Sequence, residues 1–296
     1  MENNKVYQGD TEMLIKEIPE NCIDLTVTSP PYDDLRNYGN KSIWHLEKFK
    51  AIARELYRVT KDGGIVVWVV GDATINGSET GTSFRQALFF MNVGFYLHDT
   101  MMWCKTKMPQ NHNRYEQGFE YMFIFSKGKP KTFNGIRDKP NTEAGATAHA
   151  SYRDKDGIVK KTSSFNKTKI AELGLRTNVW FITPCLSSKD RNGHPAPFPE
   201  DLVKDHILSW SNEGDLIFDP FAGSGTTLKM AKLLNRNFLG FEVSDEYIPL
   251  IKKRLEQNNI AHFSNTQNPT DSVLSERIIS ANIKLNSEFC SQALLN

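Results

Sequence analysis

Apolar residues recur along this chain in two alternating rhythms. In the first, β-branched and aromatic residues crowd into short runs bounded by turn residues, as in "CIDLTVTS" and "GIVVWVVGD". Such runs read as strands. Residues 65–70 contain no polar position, the pattern of a parallel strand covered on both faces. "VYQGD" (ending at Gly9-Asp10), "GFYLHDTMMWCKT", "FEYMFIFSKG", "NVWFI", "DLIFDP" and "NFLGFE" predict further strands. In the second rhythm apolar residues return every three or four positions. "TEMLIKEI" places Met13, Leu14 and Ile18 on one helical face, and "SIWHLEKFKAIARELYRVT" does the same with Trp44, Phe49, Ile52, Leu56 and Val59. Gly63-Gly64 is the expected stop of that second helix. More helices are expected over "SFRQALFFMNV", from Pro199 onward, after "DPFAGSG", and over "DEYIPLIKKRLEQN". Strands alternating with helices predict an α/β protein with a doubly wound, mostly parallel sheet. Ligands of such sheets bind beyond the carboxyl ends of the strands.

The alternation stops after Gly128. Residues 129–177 are polar, basic and rich in Gly, Ser, Thr and Asn, and order resumes at residue 178. The expected division is therefore 1–128, an insert over 129–177, a second half over 178–262, and a polar tail over 263–296 with one helical patch, "SVLSERIISANIKL". The net charge of +1 hides an asymmetry: residues 105–169 carry 14 Lys/Arg against 6 Asp/Glu, a local +8. A basic stretch in an otherwise acidic chain fits a phosphate-binding footprint. The four cysteines (22, 104, 185 and 290) are scattered, which argues against a disulfide framework or a zinc site and for a reducing compartment. No run is long enough to span a bilayer, and the first residues lack the order of a signal peptide, so a cytoplasmic protein without membrane contact is expected.

Two strand ends carry unusual loops. "TSPPY", residues 28–32, ends a strand with two prolines, which fix two φ angles and remove two N–H donors. The result is a stiff loop rich in acceptors. "DPFAGSGTT", residues 219–227, is a glycine turn between strand and helix. It lacks the Gly-Lys-Ser/Thr ending of a phosphate-binding loop, and Leu228 occupies the place of the third glycine of a dinucleotide fingerprint. Gly223 and Gly225 still admit a ligand close to the backbone. Glu242 follows Asp219 by 23 residues at the end of the next strand, where an acidic side chain commonly binds ribose hydroxyls. An adenosine-type cofactor without a pyrophosphate clamp fits this set, and S-adenosylmethionine is such a molecule.

These pieces, in this order, resemble the amino-group DNA methyltransferases that use S-adenosylmethionine; the likeness covers residues 5–260. "TSPPY" is similar to the family's catalytic loop, "DPFAGSGTT" to its cofactor loop, "FEVSDEY" to its ribose-binding strand end and "HPAPFPEDL" to the segment at the methionine end of the cofactor. Catalytic loop first and cofactor loop last is the permuted order of the family's β group, with a Rossmann-like, circularly permuted fold. The resemblance implies catalysis by Ser29, Pro30, Pro31 and Tyr32. It implies cofactor contacts from Asp10, Thr28, His194, Pro195, Asp219, Pro220, Phe221, Ala222, Gly223, Ser224, Gly225, Thr226, Thr227 and Glu242, and target recognition by the insert. By its own pattern Asp10 reads as a helix cap.

The target amine's lone pair is delocalised into the base, so it is a weak nucleophile. The Ser29 hydroxyl and the Pro30 carbonyl would accept its hydrogens, and Tyr32 would stack on a base extruded from the duplex. No metal or covalent intermediate is required. A loop led by Ser resembles those of cytosine-N4 enzymes; adenine-N6 is the alternative, and a catalytically idle DNA-binding subunit the alternative of another class. The implied partners are double-stranded DNA and a cognate restriction endonuclease, with the enzyme a monomer or homodimer. RNA and protein-glutamine methyltransferases carry an Asn-led loop after the cofactor loop, the reverse of this order. Pro184-Cys185 precedes the cofactor loop and has no Glu-Asn-Val after it, against a cysteine nucleophile.

Overall fold

The computed structural model describes residues 1–31, 44–105, 115, 117–149, 151–162, 168–184 and 198–257. Strand β1 (Lys5–Gln8) leads through the short helix α1 (Thr11–Leu14) and a 3-10 turn into β2 (Ile23–Thr28). Then follow α2 (Leu46–Val59), β3 (Thr60–Val70), a small ribbon of β4 (Thr74–Ile75) and β5 (Ser78–Glu79), α3 (Thr82–Val93), β6 (Tyr96–Cys104) and β7 (Phe119–Ser126). The insert contributes β8 (Arg137–Pro140), β9 (Ser151–Arg153), β10 (Val159–Lys161) and β11 (Leu173–Leu175). The chain closes with β12 (Val179–Phe181), α4 (Glu200–Trp210), β13 (Leu216–Asp219), α5 (Thr226–Leu233), β14 (Asn237–Glu242) and α6 (Tyr247–Leu255).

Eight strands form one sheet in the order β1-β14-β13-β2-β3-β7-β6-β12. From β1 to β3 all neighbours are parallel. Only β7 runs against its neighbours β3 and β6, and β12 is parallel to β6. The fold is thus α/β with a predominantly parallel sheet. Alternation along β3 serves both faces. Val66, Trp68 and Val70 join Phe49, Ile52 and Leu56 of α2, Phe90 of α3, and Phe123, Phe125, Phe218 and Phe241 in one buried cluster. Ile65, Val67 and Val69 point the other way and are equally buried. On the second face α4 and α5 pack on each other; α4 also meets β2, and α5 meets β13 and β14. Each fully buried side chain of this size stabilises by about 1.5–3 kcal/mol, so the sheet's centre is its most secure part.

Two local expectations are corrected. The helix over residues 46–59 does not run to Gly63-Gly64. It ends at Val59, where the Thr60 N–H and hydroxyl both donate to the Leu56 carbonyl. The glycines lie inside β3, at an irregularity where the register with β2 shifts; Gly63 has φ +77° and donates its N–H to the Lys127 carbonyl. In the first helix, Ile15 and Ile18 are buried while Met13 is 64% exposed, because the 3-10 turn after Leu14 rotates the apolar face.

The insert forms two exposed ribbons, β8 with β11 and β9 with β10. Its roots are on α4. Asn134 donates its backbone N–H to the Ser209 carbonyl and its amide to the Leu208 and Ser211 carbonyls, and Arg176 bridges Asp138 of β8 to Asp205 of α4. Met1–Asn259 form one compact unit; a second, Ile260–Asn296, lies outside the described residues, and with it the predicted tail helix. No helix among the described residues is long and apolar enough to cross a membrane.

Candidate active site

Strands β2 and β13 are adjacent and parallel, although 191 residues separate Thr28 from Asp219. Their carboxyl ends therefore bring the two loops singled out in the sequence to one edge. Ser29, Pro30 and Pro31 leave β2 at once, with Pro30 buried and its neighbours half-buried. The joint between the loops is a hydrogen bond: the buried Thr28 hydroxyl donates to Asp219 Oδ1 at 2.7 Å. The same oxygen accepts the Phe221 N–H at 3.1 Å. Thr227, beside the Asp219 carboxyl, donates its hydroxyl to the Val27 carbonyl at 3.2 Å. Burial pushes the Asp219 carboxyl up to about 6, against the pull of its Thr28 and Phe221 donors and the neighbouring Thr227 hydroxyl. Thr28 and Asp219, both predicted as cofactor contacts, are thus occupied in tying one loop to the other.

The glycine loop is held open by its backbone. Gly223 and Gly225 have φ +51° and +78°, the left-handed region that an L side chain seldom enters. A Cβ on Gly225 would come within 2.9 Å of the Ile251 side chain. Pro220 accepts the Thr11 hydroxyl, and the Ala222 N–H donates to the Phe241 carbonyl at 2.8 Å. Phe221 sets its ring edge-on to Trp44 at 5.3 Å and to Trp68 at 6.2 Å. Ser224 and Thr226 are buried at the start of α5.

Glu242, at the end of β14, faces this loop. Its Oε2 accepts the Gly223 N–H at 2.7 Å and its Oε1 the Ser244 N–H at 2.8 Å. Burial raises the carboxyl above the usual carboxylate range, the N–H donors oppose that, and the Asp219 charge adds to it. Asp10 stands one strand over, where Gly9 donates its N–H to the Glu242 carbonyl. Asp10 caps α1 by accepting the Glu12 N–H at 2.9 Å, and it pairs with the nearly buried Lys48 ammonium. A carboxylate at a strand end, an open glycine turn and the free first turn of a helix suit a ligand bearing vicinal hydroxyls and a short polar arm. Tyr32, His194 and Pro195 lie outside the described residues.

Four charged residues beside these loops escaped the sequence reading: Lys48, Glu200, Lys229 and Arg254. All are buried, and the last three meet behind the glycine loop. Their helices are otherwise amphipathic, and a charge at a helical position reads as solvated unless its distant partner is known.

The sequence pattern of a family described as DNA methylase matches residues 23–253. The chain belongs to this DNA methylase family. Among relatives of this methylase, the orphan methyltransferase M.BamHII of Bacillus amyloliquefaciens is 53% identical over 256 residues, covering 84% of this chain and 94% of that protein. The type II methyltransferase M.HpaI of Haemophilus parainfluenzae is 31% identical over 251 residues, covering 82% and 71%. In solved structures the methylase fold is matched by the PvuII DNA methyltransferase (cytosine-N4-specific), with TM-score 0.64, 23% identity and coverage of 88% of this chain and 89% of that one. It is matched also by the M1.HpyAVI–SAM complex, with TM-score 0.58, 23% identity and coverage of 86% and 99%.

Proposed function

We propose that this DNA methylase transfers a methyl group from S-adenosylmethionine to the exocyclic N4 of cytosine in duplex DNA, as the modifying member of a restriction–modification pair. One observation carries the reading: the Thr28–Asp219 hydrogen bond holds the Ser29-Pro30-Pro31 turn directly beside the glycine loop. A methyl acceptor resting on the first loop is then next to a cofactor resting on the second. Glu242 holds the ribose hydroxyls, Asp10 lies towards the adenine, and Gly223 to Thr227 with His194 and Pro195 hold the methionine arm. The cofactor supplies an electrophilic methyl group on a sulfonium.

The chain's own residues act on the acceptor. Ser29 Oγ and the Pro30 carbonyl accept the two amine hydrogens and draw the nitrogen from planar towards tetrahedral geometry. Because the prolines fix the turn, these acceptors need not reorganise as the reaction proceeds. Tyr32 stacks on the extruded base, which an enzyme of this kind cannot reach inside the helix; such stacking is worth about 1–3 kcal/mol. The Ser-led loop, which resembles those of cytosine-N4 enzymes, supports the cytosine assignment. The ribbons of residues 129–177 engage DNA through the exposed Arg137, Lys139, Arg153 and Lys155. Replacing Ser29 by Ala tests the assignment of roles. Single-turnover methyl transfer slows by about 10- to 100-fold, the cost of one acceptor worth 1.5–3 kcal/mol, while S-adenosylmethionine affinity stays near wild type. Lost affinity with unchanged chemistry would overturn it.

A further inference from the structure

Behind the glycine loop, where α4, α5 and α6 meet, lies a buried charge cluster that the reaction described above does not use. Glu200 opens α4, Lys229 lies in α5 and Arg254 near the end of α6, with side chains 6%, 2% and 3% exposed. Glu200 Oε1 accepts from Lys229 Nζ at 2.8 Å and from Arg254 Nη2 at 2.7 Å. Arg254 Nη1 turns to the loop and donates to the Ser224 carbonyl at 3.0 Å, the Ser224 hydroxyl at 2.8 Å and the Thr226 hydroxyl at 2.9 Å. Thr226 in turn donates to the Phe198 carbonyl at 3.4 Å, in the segment that leads into α4.

One guanidinium therefore occupies the acceptor oxygens of the loop's second half from behind. The N–H groups of Ser224, Thr226 and Thr227 donate to nothing among the described residues. A loop whose acceptors are drawn backward and whose donors are unused presents donors to a ligand. The same guanidinium is fixed by Glu200, so the loop and the start of α4 are referred to one point. A lysine could supply the charge but not the planar fork that reaches several acceptors at once.

We propose that Arg254 is a positioning residue for the methyl donor: from α6 it holds the 223–227 turn in its ligand-accepting form, and Glu200 holds Arg254. This rests on the reading of residues 219–227 as the cofactor loop. Arg254 acts on the methyl donor through the loop it holds.

The test uses the full chain with Arg254→Lys and Arg254→Met, the latter leaving the Glu200–Lys229 pair intact. Three quantities are measured: melting temperature, amide hydrogen exchange, and the Kd for S-adenosylmethionine by calorimetry. Arg254→Lys is expected to melt within about 3 °C of wild type. Its Gly223 and Gly225 amides, which donate to Glu242 and to the Ala222 carbonyl, exchange about tenfold faster while those of β2 and β3 do not change. Its Kd for S-adenosylmethionine rises about tenfold, with the larger part of any catalytic loss in cofactor KM rather than kcat. Wild-type exchange of the Gly223 and Gly225 amides in Arg254→Lys would overturn the proposal, as would an affinity loss that merely tracks melting temperature. Should Arg254→Met fail to fold, Arg254→Lys decides alone. If the wild-type protein does not bind S-adenosylmethionine, the cofactor reading fails, and the exchange measurement still decides whether Arg254 holds the turn.

Discussion

Replacing Glu242 by Gln changes one atom and separates the two tasks of that side chain. Each carboxylate oxygen accepts a backbone N–H, Oε2 from Gly223 at 2.7 Å and Oε1 from Ser244 at 2.8 Å. An amide offers only one acceptor oxygen, so its NH2 must face one of the two N–H groups. The side chain will keep one bond and lose the other. A hydrogen bond to a charged group is worth about 1.5–3 kcal/mol, and 1.4 kcal/mol is tenfold in an equilibrium constant. If the lost bond releases Gly223, or the amide turns a donor towards the ribose, affinity for S-adenosylmethionine falls by about 10- to 100-fold. Global stability at neutral pH should fall by less. Burial already penalises the charged form of Glu242, and the neutral amide escapes that penalty. Calorimetric titration with S-adenosylmethionine and urea unfolding of the same preparations give both numbers. Wild-type affinity in the variant, or a stability loss as large as the affinity loss, would remove Glu242 from the ribose site.

Asp219→Asn tests the joint between the loops through pH. The carboxyl is raised from 3.8 to about 6, so the native state holds its proton more tightly than the unfolded chain. Its contribution to stability is full below pH 3.8 and is lost as pH rises towards about 6. Two pKa units correspond to about 3 kcal/mol, so the stability of wild type relative to the variant should drop by up to that amount between pH 4 and pH 7. A pH-independent difference in urea unfolding would contradict it. In the insert, changing Arg153 and Lys155 together to Ala should weaken duplex binding and flatten its salt dependence by about two phosphate contacts' worth of slope. An unaltered slope would remove these ribbons from the DNA interface.

The fold was legible where burial is uniform. Residues 65–70 have no polar position, and all six are buried at the sheet's centre. The two loops were legible because proline and glycine act locally, on φ angles and on the room left by a missing side chain. Asp10 showed its cap, since an N-cap is decided within three residues, but not its pairing with Lys48, 38 residues away. Gly63-Gly64 misled for a related reason. A glycine pair says that the backbone departs from the ordinary, and only pairing with β2 and β7 determines that it does so inside a strand. The Glu200–Lys229–Arg254 cluster was invisible because each member sits at a helical position that periodicity assigns to water. Only the packing of α4, α5 and α6 turns three separate charges into one buried group.

Methyl transfer to the amine of cytosine leaves its mark on the nucleoside itself. The full-length protein is incubated with methyl-labelled S-adenosylmethionine and duplex DNA of mixed sequence, the DNA is digested to nucleosides, and the labelled species is identified by mass. The expected product is N4-methylcytosine, formed about 10- to 100-fold more slowly when Ser29 is replaced by Ala. Label in N6-methyladenine would contradict the base assignment, and DNA that stays unlabelled would contradict the claim as a whole.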